Sequence, residues 1–163
     1  MPTIEPLVMP EGYGANASTM TWADVSAQLV AAHQYWVATN RPGGSPHLVP
    51  VDGLWVDDIL YYGGLPTTFH VRAALADPHV TIHLPDPWKV VVVEGEVRLA
   101  KPSADLAQQL GDLANVKYAH YGITFDATSY SDPFAFHPRR VLAWSSFPSD
   151  ATRFTFATSN EGR

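Results

Sequence analysis

From Lys89 to Leu99 the chain sets Val90, Val91, Val92 and Val93 side by side, its longest run of strand formers. β-Branched side chains are stiff and crowd a helix, but they pack well on a pleated surface. A strand that is apolar at consecutive positions has no polar side to offer water. The run therefore predicts a strand buried on both faces, and the rest of the chain must supply both covers.

The remaining strand signals are short and punctuated by turns. Tyr35 to Thr39 is rich in strand formers, and Arg41-Pro42-Gly43-Gly44 reads as a turn. His47 to Val56 extends the next strand, with a predicted interruption at Pro50 and Asp52-Gly53, because proline has no ladder donor. Asp57-Asp58 turns the chain into Ile59 to Tyr62, which completes a meander. Val80 to Leu84, Val141 to Phe147 and Arg153 to Phe156 read as further strands.

Three helices are expected. Thr21 caps the first, with Asp24 in a weak capping box and Val25, Leu29 and Ala32 at helical spacing. Thr67 or Thr68 caps a short second helix that stops before Pro78. Ser103 caps the third, with Leu106, Leu110 and Leu113 on one stripe. Residues 117–139 read as mixed, aromatic and loop-like. The sum is a mainly β chain of the α+β class, with six or seven mostly antiparallel strands in a barrel or sandwich. Residues 1–20 read as an extended arm, 21–158 as a single domain and 159–163 as a tail.

Composition narrows the function. The 163 residues include no cysteine, which excludes disulfides, thiolate metal sites and a cysteine nucleophile. Charged residues are only 16%, against about 25% in typical domains, so the surface is poor in charge and suits a partner subunit. A formal charge of −6 argues against nucleic acid and anionic membranes as partners. The first twenty residues lack a basic start followed by an apolar run, so the expected location is the cytoplasm.

The segment Gly63-Gly64-Leu65-Pro66-Thr67-Thr68-Phe69-His70-Val71-Arg72 carries the most chemistry. A helix start offers free amides and a positive dipole end, which suits a phosphate. Thr67 and Thr68 add hydroxyls, Arg72 adds a planar fork, and His70 adds charge when protonated. The bland alternative is a capped helix with a surface arginine. Gly12-Tyr13-Gly14-Ala15-Asn16-Ala17 fits a dinucleotide fingerprint, but the prolines before it forbid the central strand that motif needs. His79 and His83 share one strand face without a third ligand, so no metal site is expected. Tyr118, Tyr121, Phe134, Phe136 and Trp144 either wall a planar ligand or, the favoured reading, belong to the core.

Several segments together resemble the pyridoxamine 5′-phosphate oxidase-like, or flavin/deazaflavin oxidoreductase, family. Tyr35 to Thr39 followed by Gly43 to Val51 resembles its opening hairpin, and Leu60-Tyr61-Tyr62-Gly63-Gly64 its third strand. His70-Val71-Arg72-Ala73-Ala74 with Asp77-Pro78 stands where the family usually has a basic residue, Arg, Asn and Leu, then Asp-Pro. Trp88 to Gly95 is similar to its central strand. The resemblance implies an FMN-binding split β-barrel that forms a homodimer. It implies FMN, or alternatively coenzyme F-420, in a groove between subunits, and hydride transfer to or from a small organic substrate. The ring would lie along His47, Leu48, Val49, Pro50 and Val51, with the phosphate at Thr67, Thr68, His70 and Arg72. Trp88, Trp55 or Tyr121 would cover a face, and His47 and Tyr121 are the candidates for proton transfer. The rival reading on the same fold is a non-catalytic flavin or haem binder, with His79, His83 or His120 as iron ligands.

Overall fold

The computed structural model describes residues 1–157; the end of the expected domain and the expected tail, residues 158–163, lie outside them. Among these residues, eight strands and three α-helices follow in the order β1 Thr3–Pro6, α1 Trp22–Ala31, β2 Gln34–Asn40, β3 Pro46–Val56, β4 Ile59–Tyr62, α2 Phe69–Ala76, β5 His79–His83, β6 Val90–Leu99, α3 Ala104–Lys117, β7 Phe134–Trp144 and β8 Thr152–Thr155, with short 3-10 turns at Ala119–Tyr121 and Ala127–Tyr130 between α3 and β7. All pairings are antiparallel, in the order β1-β8-β7-β4-β3-β2-β5-β6, and β6 also pairs with β7. That second pairing closes β2 to β7 into a six-stranded barrel. None of the helices among the described residues is long and apolar enough to cross a membrane.

Period-two patterning fills the barrel. Tyr35 and Val37 of β2, Val91 and Val93 of β6, and Phe136 and Val141 of β7 point inward and are fully buried. α1 adds Val25 and Leu29 to this core; its cap is Thr21, whose hydroxyl accepts from the Asp24 amide. α3 covers a different region. Its Leu110 and Ala114, with Tyr118 just beyond, pack on the outer side chains Leu54, Val56, Tyr61 and Ala135 of β3, β4 and β7. Ser103 caps α3 through the Leu106 amide, but Leu113 is exposed and lies off the buried stripe.

Three expectations change. The valine run is not buried on both faces, because Val90 and Val92 point outward and are only half covered. β3 runs through Pro50 unbroken, with Pro50 opposite Trp36 and Asp52 opposite Gln34. The segment 117–139 is not all loop, since β7 already starts at Phe134. Within the arm, Thr3–Pro6 form a short edge strand on β8. Gly12 and Gly14 follow at positive φ in a connection with no helix until Trp22, so the glycine motif has no dinucleotide context.

Candidate functional site

The site begins with an edge that the sheet leaves unpaired. β3 pairs with β2 from Pro46 to Asp52, but β4 meets it only from Gly53 to Val56. Asp57 and Asp58, both at positive φ, form the two-residue turn between β3 and β4, which makes Val56 and Ile59 a hydrogen-bonded pair. Alternation along β3 then turns the backbone groups of Leu54, Asp52, Pro50 and Leu48 toward the same edge. Only Leu54 finds β4 there. The amides of Leu48 and Asp52 and the carbonyls of Leu48, Pro50 and Asp52 face an open edge. The same geometry explains why Pro50 is tolerated: its missing donor is on the side without a partner strand.

A cavity of about 660 Å³ lies against this edge. Small-molecule sites usually span roughly 300–1,000 Å³. Pro50, Val51, Asp52 and Gly53 form its floor, and Tyr62, Gly63, Gly64 and His70 one end. Its outer wall is Tyr118 with Ile123 to Phe125 and Ser129 to Pro133. Sequence reasoning favoured core for the late aromatic cluster, and Phe134 and Phe136 are core. Tyr118 does both jobs, being 2% exposed and lining the cavity. The wall is pinned from α3: the Asn115 amide donates to the Phe125 carbonyl and its oxygen accepts from the Phe125 amide, both at 2.8 Å. Gly111 allows the close approach, since a Cβ there would stand 3.1 Å from the Asp126 backbone.

The floor is clamped at Gly53. Its amide donates to the Tyr118 hydroxyl at 2.8 Å, and its carbonyl accepts from Lys117 Nζ at 2.8 Å. The Lys117 ammonium also reaches the Tyr35 hydroxyl at 3.2 Å and lies near the faces of Tyr35 and Tyr118. Burial pulls the Lys117 amine down to about 8, with Asp52 opposing. Burial likewise pushes the Tyr118 phenol up. Asp52 accepts from the Tyr121 hydroxyl at 2.8 Å, and that bond pushes the Tyr121 phenol up. A second cavity of about 510 Å³, lined by His33, Gln34, Pro85, His120 and Tyr121, shares Asp52 and Tyr118 with the first.

At the far end stands α2. Thr68 occupies its cap position, but contrary to expectation no side chain caps the helix; the Thr68 hydroxyl donates to the Leu65 carbonyl at 2.7 Å. The first amides of α2 are therefore left for another acceptor. His70 Nε2 is buried and has no partner, and it packs against Gly64, where a Cβ would come within 2.6 Å of it. An uncapped helix start, an orphaned imidazole nitrogen and an open strand edge around one cavity fit a planar ring carrying polar groups and an anionic tail.

The sequence candidates scatter around this frame. Pro50, Val51 and His70 line the cavity. His47, Leu48 and Val49 continue the same strand beyond it, with His47 held by Arg41. Thr67 and Arg72 are exposed at the start of α2. Trp88 is 82% exposed in the β5–β6 loop and Trp55 is 4% exposed in the barrel core, so neither covers the cavity within this chain. His79 bonds Asp77 and His83 stacks on Trp36, and no group of three possible metal ligands occurs among the described residues.

No family model and no curated protein matches the chain. Solved structures do. An F420 reductase is 19% identical, with a TM-score of 0.54 over 82% of this chain and 98% of that one. A heme binding protein from Mycobacterium smegmatis is 17% identical, with a TM-score of 0.62 over 84% of this chain and 59% of that one. A putative pyridoxamine 5′-phosphate oxidase from Listeria innocua is 15% identical, with a TM-score of 0.58 over 76% of this chain and 98% of that one. The closed six-stranded barrel described above is thus the split β-barrel fold of the pyridoxamine 5′-phosphate oxidase-like proteins.

Proposed function

We propose that the protein is a flavin- or deazaflavin-dependent oxidoreductase that transfers hydride to or from a small organic substrate, with FMN as the first cofactor to test and coenzyme F-420 as the alternative. The observation that carries this is the open edge of β3 against a cavity with an uncapped helix start at its end. When bound, the ring supplies the hydride chemistry. The chain's part is to bind and orient it. The backbone from His47 to Val51 and on to Asp52 meets the ring's polar edge, and the corner formed by Thr67, Thr68, His70 and Arg72 meets the phosphate. Tyr118 and the wall from Ile123 to Pro133 exclude water from one side. Structural neighbours that include an F420 reductase support this reading.

The proposal includes a homodimer. α3 does not reach the outer side chains Trp36, His83, Val92 and Leu142 of β2, β5, β6 and β7, which stand in one row and are each half-buried. Pro50 extends that row to the open edge of β3, so a second copy seated there would complete the groove. The second reading, a flavin or haem binder without turnover, is favoured by the haem-binding neighbour. The absorption spectrum of purified protein, alone and after incubation with FMN, F-420 or hemin, tests the choice. Flavin or deazaflavin bands with substrate-dependent bleaching support the oxidoreductase, and a Soret band alone overturns it.

A further inference from the structure

The turn between β2 and β3 places a cation beside the start of α2 that no motif in the sequence pointed to. Arg41 lies with its guanidinium carbon 4.5 Å from the centroid of the Phe69 ring, and Phe69 is the first residue of α2. Arg41 Nη2 donates to His47 Nδ1 at 2.9 Å, and the His47 and Phe69 rings lie edge to face with their centroids 4.6 Å apart. In this acidic chain, no carboxylate among the described residues bonds Arg41, His47, His70 or Arg72. Arg41 is exposed, so its fork is open to solvent and to an anionic ligand. Here an aromatic face and a neutral imidazole hold its plane, and both leave its charge uncompensated.

The imidazole is neutral for a geometric reason. With Nδ1 accepting from Arg41, the ring proton of His47 sits on Nε2, which becomes a second donor. Burial, with Arg41 and His70 nearby, holds His47 below the usual imidazole range. Guanidinium and imidazole N–H donors thus stand next to helix amides that no side chain caps. Several donors around one permanent cation match a phosphate monoester better than a carboxylate, because phosphate presents three oxygens to the fork.

We propose that Arg41 is the phosphate-binding cation of this site, fixed by Phe69 and His47, and that the charge for the cofactor's phosphate comes from the β2–β3 turn rather than from His70. The inference rests on the flavin or deazaflavin reading and assigns that site its anion-holding residue. The test compares ligands with and without phosphate. Dissociation constants for FMN and riboflavin are measured by fluorescence on the full chain and on Arg41→Ala, Arg41→Lys and Arg72→Ala, after circular dichroism shows each folded. The same pair is run with F-420 and its phosphate-free chromophore.

The wild type is expected to prefer the phosphorylated ligand by roughly ten- to a hundredfold, the scale of a charge-assisted contact. Arg41→Ala should lose most of that preference while its affinity for riboflavin stays the same, and Arg41→Lys should keep only part of it. Arg41→Ala with the wild-type preference, or with both ligands weakened equally, overturns the assignment and leaves the cofactor reading standing. Arg72→Ala abolishing the preference alone overturns it too and moves the cation onto α2. A wild type that binds riboflavin and FMN equally sinks the phosphate corner only. One that binds none of the four ligands sinks the cofactor reading and this inference with it.

Discussion

Gly53 shows how much one residue holds together. It sits where β3 leaves β2 and joins β4, so its amide has no strand partner and takes the Tyr118 hydroxyl instead. A side chain has no room here, since a Cβ would come within 2.8 Å of Leu60 and 3.1 Å of the Tyr61 carbonyl oxygen. Tyr118→Phe removes the hydroxyl and leaves a buried amide unmet, a loss of about 1–3 kcal/mol. Urea unfolding should show that loss, and flavin binding should weaken as the floor of the cavity loosens. An unchanged midpoint would mean that water replaces the hydroxyl there. Gly95 is constrained as tightly: it stands at the register shift between β6 and β7, and a Cβ would collide with the His137 carbonyl oxygen.

Among the elements, β3 and α3 carry the predictions. Pro50 already shows that the open edge of β3 can do without a donor while the β2 ladder stays intact. For that reason Pro50→Val is not expected to close the groove; it only adds an N–H to the open side. Leu48 faces the same edge two residues away, so Leu48→Pro should keep the thermal midpoint close to that of the parent. If the Leu48 amide bonds the ring, flavin affinity falls about tenfold. Equal affinities would place the ring further along, toward Asp52. α3 is tied to β3 by Lys117, whose amine is lowered to about 8 from an unfolded value of 10.5. For a base with a depressed folded value, the unfolded state binds more protons between those two values, so stability rises with pH across that window. Buried tyrosines act oppositely above about 10, where unfolded phenols ionise. Relative to Lys117→Met, the parent should therefore gain stability from about pH 8 toward 10 in urea titrations. A flat difference between the two proteins would show that Lys117 is solvated.

Among the described residues, one flank of the barrel is only half covered. α3 covers one outer face of the barrel, whereas the row Trp36, His83, Val92 and Leu142 lies outside that cover and stays half-buried among the described residues. The proposed homodimer uses this flank. Light scattering at micromolar concentration should report twice the chain mass, and Val92→Glu should report a folded monomer that has lost its cofactor. A wild-type monomer would leave the half-buried row unexplained and remove the shared groove.

Local chemistry determined much of this. The caps at Thr21 and Ser103, the turn at Asp57-Asp58, the glycines after Tyr62 and the valine strand all act over a few residues, so their types and spacing were legible in the chain. The order of these elements also carried the barrel, because antiparallel strands joined by short turns lie side by side. Tertiary structure decided the rest. Whether Pro50 breaks a strand depends on which edge has a neighbour, and that is a fact about β4 ending at Tyr62. Whether Thr68 caps its helix depends on a competing carbonyl at Leu65. Tyr118, 65 residues from Gly53 in sequence, becomes the wall of the cavity only when α3 folds across the barrel. Arg41 carries no motif at all. It joins the site because a turn between two strands ends beside the first residue of α2, and contacts between distant segments have no local signature for a sequence to display.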